Sequence, residues 1–369
     1  MLSSEIIDAQ RLVKTDAYQM SIGEIVTMYE SHELIIDPEF QRLFRWDIGQ
    51  KSKLIESLLL GIPIPSIFVF EKNDGSWELI DGLQRISTIL EFMGKLKNPE
   101  NKTAPPSVLE ATKYLPSLHN TVWERSSRIP EVPKAEQNPL DKGQQLSIRR
   151  ARLGLEILKK PSEDKTKFDL FQRLNAGGTQ ANAQELRNCI MLMVNGDYFR
   201  SIKAAAESAD FQTVTSLTPD QTERQRHMEL AVRFLVLTYV PYDGTLDVEE
   251  FIDEGIIDLA REGEGAKHAK VLVETFKMLN AVAGKDVLKR FEKGKYGGKT
   301  GLVGLEGIAV GVAKNLNKIL ALKDPVKFLT EKIHKFWDQP QTKKITSPGL
   351  RGTTRIQRTV PFGKDWFSP

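Results

Sequence analysis

Between Ser66 and Met93 the chain changes its hydrophobic period twice, and few folds accommodate that. Ser66 to Phe70 is β-branched and aromatic, Asn73-Asp74-Gly75 carries turn chemistry, and Trp77 to Ile80 is apolar again, so this run predicts a β-hairpin. Asp81-Gly82 breaks the second strand. Ile86, Ile89, Leu90 and Met93 then recur at helical spacing. A strand that passes directly into a helix commits this part of the chain to a sheet with helices packed on it.

The flanking sequence extends the pattern. Ser21 with Glu24, and Asp47 with Gln50, have the spacing of a capping box, in which side chains satisfy free backbone N–H groups at a helix start. Leu54, Ile55, Leu58 and Leu59 give the second of these helices an apolar face that ends at Gly61. Residues from about 97 to 145 are rich in Pro, Asn, Ser and Lys with little periodicity, which predicts a mobile inserted loop outside the core. Leu153, Leu155 and Ile157 alternate as in a strand, Ser162 with Glu163 and Asp164 predicts a helix start, and Asn175 to Gly178 its end. Asn182 with Glu185 caps the next helix.

Beyond about Asn195 the spacing is almost wholly helical, over 229–239, 248–259, 269–282, 302–322 and 326–337. The fold class expected is therefore α+β: an N-terminal α/β domain over residues 1–195, with 97–145 as its insertion, and an α-helical domain with a basic tail over 196–369. A chain of 369 residues is long enough for two cores.

Composition narrows the function classes. Hydrophobic residues make up 40% and charged residues 27%, which excludes long disorder. No apolar run reaches the roughly 20 residues that cross a bilayer, and the first residues lack a signal pattern, so the expected place is the cytoplasm, away from membranes. The single cysteine, Cys189, excludes an internal disulfide and lies in an apolar helical stretch, as a small core residue does. A net charge of +3 gives no global signature of nucleic-acid binding, so any DNA contact must be local. Arg149, Arg150 and Arg152, and the tail set Lys343, Lys344, Arg351, Arg355 and Arg358, are the candidates, with Arg351, Arg355 and Arg358 assigned to DNA; short basic runs are also common as plain solvated faces.

The candidate chemistry centres on Asp81-Gly82-Leu83-Gln84-Arg85. Taken alone, the run reads first as an Asp-Gly turn followed by a surface arginine. Its location adds a second reading: glycine lets the backbone approach a ligand, the helix start directs free N–H groups outward, and Arg85 can pair with phosphate oxygens. Asp81 can hold a metal ion or orient water, and Gln84 can donate to a phosphate or base. A second cluster runs from Asp37 to Asp47, where Gln41, Arg42 and Arg45 supply donors, and Phe44 and Trp46 serve the core before they serve stacking. A third, Phe171 to Thr179 continued by Glu185 to Asn188, is a sound helix stop that also brings Arg173, Asn175 and Arg187.

The ordered set Phe40-Gln41-Arg42 with Trp46, Leu54-Ile55-Glu56-Ser57-Leu58, Gly61-Ile62-Pro63-Ile64-Pro65, Asp81-Gly82-Leu83-Gln84-Arg85 and Phe171-Gln172-Arg173-Leu174-Asn175 resembles the N-terminal domain family of GmrSD restriction systems. The resemblance implies a ParB/sulfiredoxin-like core and a nucleotide site that drives recognition or cleavage of modified phage DNA. It implies catalytic roles for Asp81, Gln84 and Arg85, nucleotide contacts from Gln41, Arg42, Arg45, Gly82, Arg173 and Asn175, an NTP substrate, and Mg²⁺ on Asp81. Leu83 stands where the common motif has Gln, so one polar group is missing. Relatives often add an HNH-type nuclease, which needs clustered His and Asn; here His32, His119, His227, His268 and His334 are scattered singly, as structural or exposed histidines are. A separate nuclease or effector partner is therefore expected, and a homo-oligomer stays open.

Two function classes remain: an NTPase that senses DNA for an antiphage system, and a module that holds nucleotide or DNA without turnover and recruits an effector. A ParB-like nuclease acting alone ranks below both.

Overall fold

The protein, seen as a computed structural model, is described over residues 14–36, 46–72, 74–98, 101–159, 183–218, 221–222, 225–298, 300–346 and 349–369. The sequence readings on 37–45 and 160–182, on the Asn182–Glu185 cap and on the Cys189 side chain lie outside the described residues. The chain divides into two compact units, Met1–Gly178 and Thr179–Pro369. The sequence placed this division at 195/196.

The first unit carries β1 (Lys14–Ser21), α1 (Ile22–Glu30), β2 (Leu34–Ile35), α2 (Ile48–Leu60), β3 (Ile67–Glu71), β4 (Trp77–Asp81), α3 (Leu83–Phe92), β5 (Thr121–Val122), β6 (Asn138–Pro139), α4 (Lys142–Arg150) and β7 (Arg152–Lys159). Its main sheet has the order β1-β7-β3-β4-β2. The β1–β7 and β3–β4 pairs are antiparallel, whereas β7–β3 and β4–β2 are parallel. The helix starts follow from capping: Ser21 Oγ accepts from Glu24 N at 3.2 Å, and Asp47 with Gln50 completes a full box at 2.8 and 3.1 Å. Gly61, at φ 70°, ends α2 in the left-handed conformation. The core gathers Ile22, Ile25, Ile55, Ile67, Val69, Leu79, Ile86, Ile89, Leu90 and Leu155 from helices and sheet. Each such burial is worth roughly 1.5–3 kcal/mol.

The segment expected as a mobile insertion is instead part of that core. Leu109, Leu118, Trp123 and Leu140 are buried in it, and Phe92 meets Trp123 edge-on at 6.0 Å. Irregular backbone stays buried only when its polar groups are paired. Ser52 Oγ accepts from Glu110 N at 3.0 Å. The buried Glu56 carboxylate accepts from Tyr114 N and Leu115 N, both at 3.1 Å, and from the Thr112 hydroxyl. Gln137, fully buried, closes the loop by donating to Ser126 O and Val132 O and accepting from Ser126 N.

Among its described residues the second unit is helical apart from the hairpin β8 (Arg290–Glu292) and β9 (Lys295–Gly297). Its helices are α5 (Ala183–Val194), α6 (Gly196–Ala206), α7 (Ala209–Thr215), α8 (Arg226–Tyr239), α9 (Val248–Glu262), α10 (Gly265–Ala283), α11 (Val310–Lys314), α12 (Leu316–Leu320), α13 (Pro325–Phe336), α14 (Pro340–Ile345) and α15 (Gly352–Trp366). Helix α5 packs on α6 and α9, which is why the unit begins ahead of it. Helix α8 buries His227, Met228 and every residue from Leu230 to Leu237, so its one central charge, Arg233, lies among apolar residues and needs a partner. Among the described residues no helix is long and apolar enough to cross a membrane.

The helix expected over 302–322 is broken. Gly304–Ala309 winds as a π-helix with all six residues buried, followed by the short α11 and α12. At Gly311 a Cβ would stand 2.6 Å from Gly363 O of α15, so glycine on both helices lets the backbones meet.

Candidate functional site

Strand β4 delivers Asp81 to the end of the sheet, and Gly82, at φ 95° and ψ 12°, turns the chain into α3. No side chain caps this helix start, so its first N–H groups are available to an acceptor. A Cβ on Gly82 would overlap the buried Ile67 side chain, whose Cβ would lie 2.9 Å away. Leu83 packs partly buried against the core, so the position that departs from the common motif contributes packing.

One helical turn on, Arg85 bends back. Its Nη2 donates to Asp81 Oδ2 at 2.7 Å. Nη1 donates to Ser66 O at 2.9 Å and also to Pro65 O. The guanidinium is mostly buried, 14% exposed against 27% for Asp81. A planar fork can bind two carbonyls and a carboxylate at once, whereas an ammonium cannot hold that geometry. Arg85 thus braces Asp81 against the loop before β3, with Nη1 and Nη2 both directed at protein acceptors.

Gln84 points the other way: its Oε1 accepts from the backbone N–H of Trp46 at 3.1 Å, just ahead of α2. Trp46 packs against the core, as the sequence suggested, and its Nε1 is buried without a hydrogen-bond partner among the described residues. Three of the segments that carried the resemblance therefore converge on the start of α3: Trp46, the Gly61–Pro65 loop, and Asp81–Arg85. What sequence reasoning missed is that the Pro65 and Ser66 carbonyls are part of this site; a proline-flanked loop ahead of a strand was the available signal.

The remaining candidates separate. Arg187 lies in the second unit, with Nε on Asp253 Oδ1 and Nη2 on Glu249 Oε2, both at 2.5 Å. Arg355 donates Nε and Nη2 to the two oxygens of Glu306 at 2.8 and 3.0 Å, a bidentate pairing that leaves it a structural role in place of the DNA contact assigned to it. Arg233 joins both halves, reaching Glu306 at 3.1 Å and Glu249 at 3.2 Å. Arg187, Arg233 and Arg355 with Glu249, Asp253 and Glu306 thus form one alternating chain of charge. Burial works against the charge on Arg187, but Asp253 and Glu249 more than reverse it and raise its pKa. Burial lifts the Asp253 carboxyl to about 6 despite Arg187 beside it. Of the candidate basic residues, Arg149, Arg150 and Arg152 are exposed in the first unit and Lys343, Lys344, Arg351 and Arg358 in the second.

Among curated proteins and solved structures nothing matches the chain. Residues 22–192 match the model of the GmrSD restriction endonuclease N-terminal domain, a span that holds the whole Asp81 site and stops short of most of the helical unit. Over residues 22–192, a little under half of its length, the chain is thus similar to the N-terminal domain of GmrSD restriction endonucleases.

Proposed function

We propose that the first unit binds a nucleoside triphosphate at the start of α3 and hydrolyses it as the sensor of a DNA-restriction, antiphage system. The observation that carries this reading is the braced Asp81. Its Oδ2 is fixed by Arg85, and Oδ1 has no partner among the described residues. A carboxylate held this way can orient an attacking water or take one place on a metal ion. The uncapped N–H groups of α3 supply donors and a partial positive charge for phosphate oxygens. Gln84 ties Trp46, just ahead of α2, to this position, and Gln41, Arg42 and Arg45 are proposed as further nucleotide contacts.

One carboxylate beside a phosphate site suits Mg²⁺, which is commonly held by one or two carboxylates plus substrate phosphates. Bound with the nucleotide, the ion would neutralise phosphate charge; Asp81 is the residue that would hold it. DNA contact is assigned to the exposed arginines, Arg149, Arg150 and Arg152 and then Arg351 and Arg358, with strand cutting left to a separate nuclease partner.

A second reading, binding without turnover, is favoured by the commitment of Arg85 Nη1 and Nη2 to the protein and by Leu83, which together remove donors from a transition state. Phosphate release from each common NTP, with and without DNA, separates the two. The NTPase reading expects turnover that falls by about 10²-fold or more in Asp81→Ala. Saturable nucleotide binding with no phosphate release from the native protein would establish the sensor without hydrolysis.

A further inference from the structure

The corner joining α9 to α10 carries a separate constellation. Glu262 ends α9, Gly263 turns the chain at φ 73°, and Glu264 immediately precedes α10, whose first turn holds His268. One ligand atom from each of Glu262, Glu264 and His268 lies within 4.8 Å of the other two. The carboxylates are exposed, but the imidazole is only 1% exposed.

The ring is positioned from behind. Nδ1 lies 3.1 Å from Tyr198 Oη on α6, the Tyr239 ring covers one side at 4.1 Å between centroids, and Tyr198 meets the ring edge-on. Nε2 faces the carboxylates, with its nearest acceptor, Glu264 Oε2, 3.9 Å away and beyond hydrogen-bond reach. Among the described residues Nε2 has no hydrogen-bond partner, and neither has the Glu262 carboxylate. Glu264 already holds a cation, the Lys267 ammonium.

We infer that Glu262, Glu264 and His268 form a site for one divalent metal ion of the zinc class, with Tyr198 as the outer partner that orients the imidazole. When His268 Nδ1–H donates to Tyr198 Oη, Nε2 keeps its lone pair for a metal, the arrangement in which ligating histidines are usually held. An imidazole with two carboxylates suits zinc-like ions, whereas calcium and magnesium take oxygen donors throughout. Tetrahedral ligand atoms at zinc distances stand roughly 3.4 Å apart, a gap that rotation of the two exposed glutamates closes. Three protein ligands leave a fourth position for water. The ion displaces the Lys267 ammonium and fastens the end of α9 to the start of α10 and, through Tyr198, to α6.

The test uses tag-free full-length protein stripped with chelator, titrated with Co²⁺ by visible absorption and with Zn²⁺ by calorimetry. One ion is expected per chain, with affinity falling by about 10-fold or more in Glu262→Gln and in Glu264→Gln. Lys267→Ala should bind more tightly, and Glu136→Gln, an exposed carboxylate in the other unit, should bind as the native chain does. Glu262 is exposed and unpaired, so its variant folds and isolates the ligand role. Absence of saturable binding, binding unchanged in both glutamine variants at Glu262 and Glu264, or binding lost with Glu136→Gln would each overturn the assignment.

Discussion

At Gly82 two constraints fall on a single residue. Its φ of 95° lies where an L side chain is strained, and a Cβ would collide with Ile67, which is itself fully buried. Ile67 cannot yield, because its strand pairs with both β4 and β7. The Gly82→Ala variant should therefore lose about 2–4 kcal/mol of stability, the sum of backbone strain and overpacking. Urea unfolding of the two proteins measures it, and equal midpoints would show that the turn relaxes at no cost. Because Asp81 and Arg85 flank the same turn, the loss should come with weakened nucleotide binding if the proposed site is correct.

Among elements, the π-segment Gly304–Ala309 shows where the sequence could be read and where it could not. Period alone marks 302–322 as helical, and that holds as far as the winding goes, but a continuous helix needs each carbonyl to meet its partner four residues on. Close approach to α15 at Gly363, and a carboxylate placed inside an apolar run, interrupt it. Glu306 was the visible sign: a charged residue on an apolar face asks for a partner, and only the fold reveals that Arg233 and Arg355, distant in sequence, supply it. The same reason hid the fate of the 97–145 segment, whose burial depends on Glu56 and Gln137 pairing with backbone outside their own turns. By contrast, the capping box at Asp47, the hairpin and the Asp81–Gly82 break are local, and each was legible. So was the Asp81 motif, although Arg85's carbonyl partners were not. Replacing Glu306 by Leu should leave two guanidiniums facing an apolar residue and destabilise the helical unit by about 3–5 kcal/mol. Loss of amide protection in α8 and α15, followed by hydrogen exchange, reports it; unchanged protection would mean that water reaches and solvates the arginines.

Over the whole molecule, pH acts through groups of opposite sign. Asp16, Asp74, Asp243 and Glu264 have pKa values lowered, first of all by hydrogen bonds from Lys159, Ser76, Thr245 and Lys267 respectively, so what they contribute is lost only below the ordinary carboxylate range. His227 and His268 are lowered by burial, so the unfolded chain takes up their protons first and stability falls as pH drops below about 6.5. Asp253 runs against them. Burial raises it from 3.8 to about 6, so in that window the folded state holds a proton that the unfolded state has released, and acidification from about 6 towards 4 stabilises the protein through this group. Asp253→Asn removes that uptake and should steepen the loss of stability on acidification by up to about 1.4 kcal/mol per pH unit near pH 5. The slope is the readout, because the substitution also leaves Arg187 with Glu249 as its remaining carboxylate partner and lowers stability at every pH. Two units need not unfold together, so the measurement is best made on α5 and α9 by hydrogen exchange between pH 5 and 7, after correction for the intrinsic exchange rate. Equal slopes in the two proteins would place the Asp253 titration outside this range and return its carboxylate to the ordinary ion-paired state.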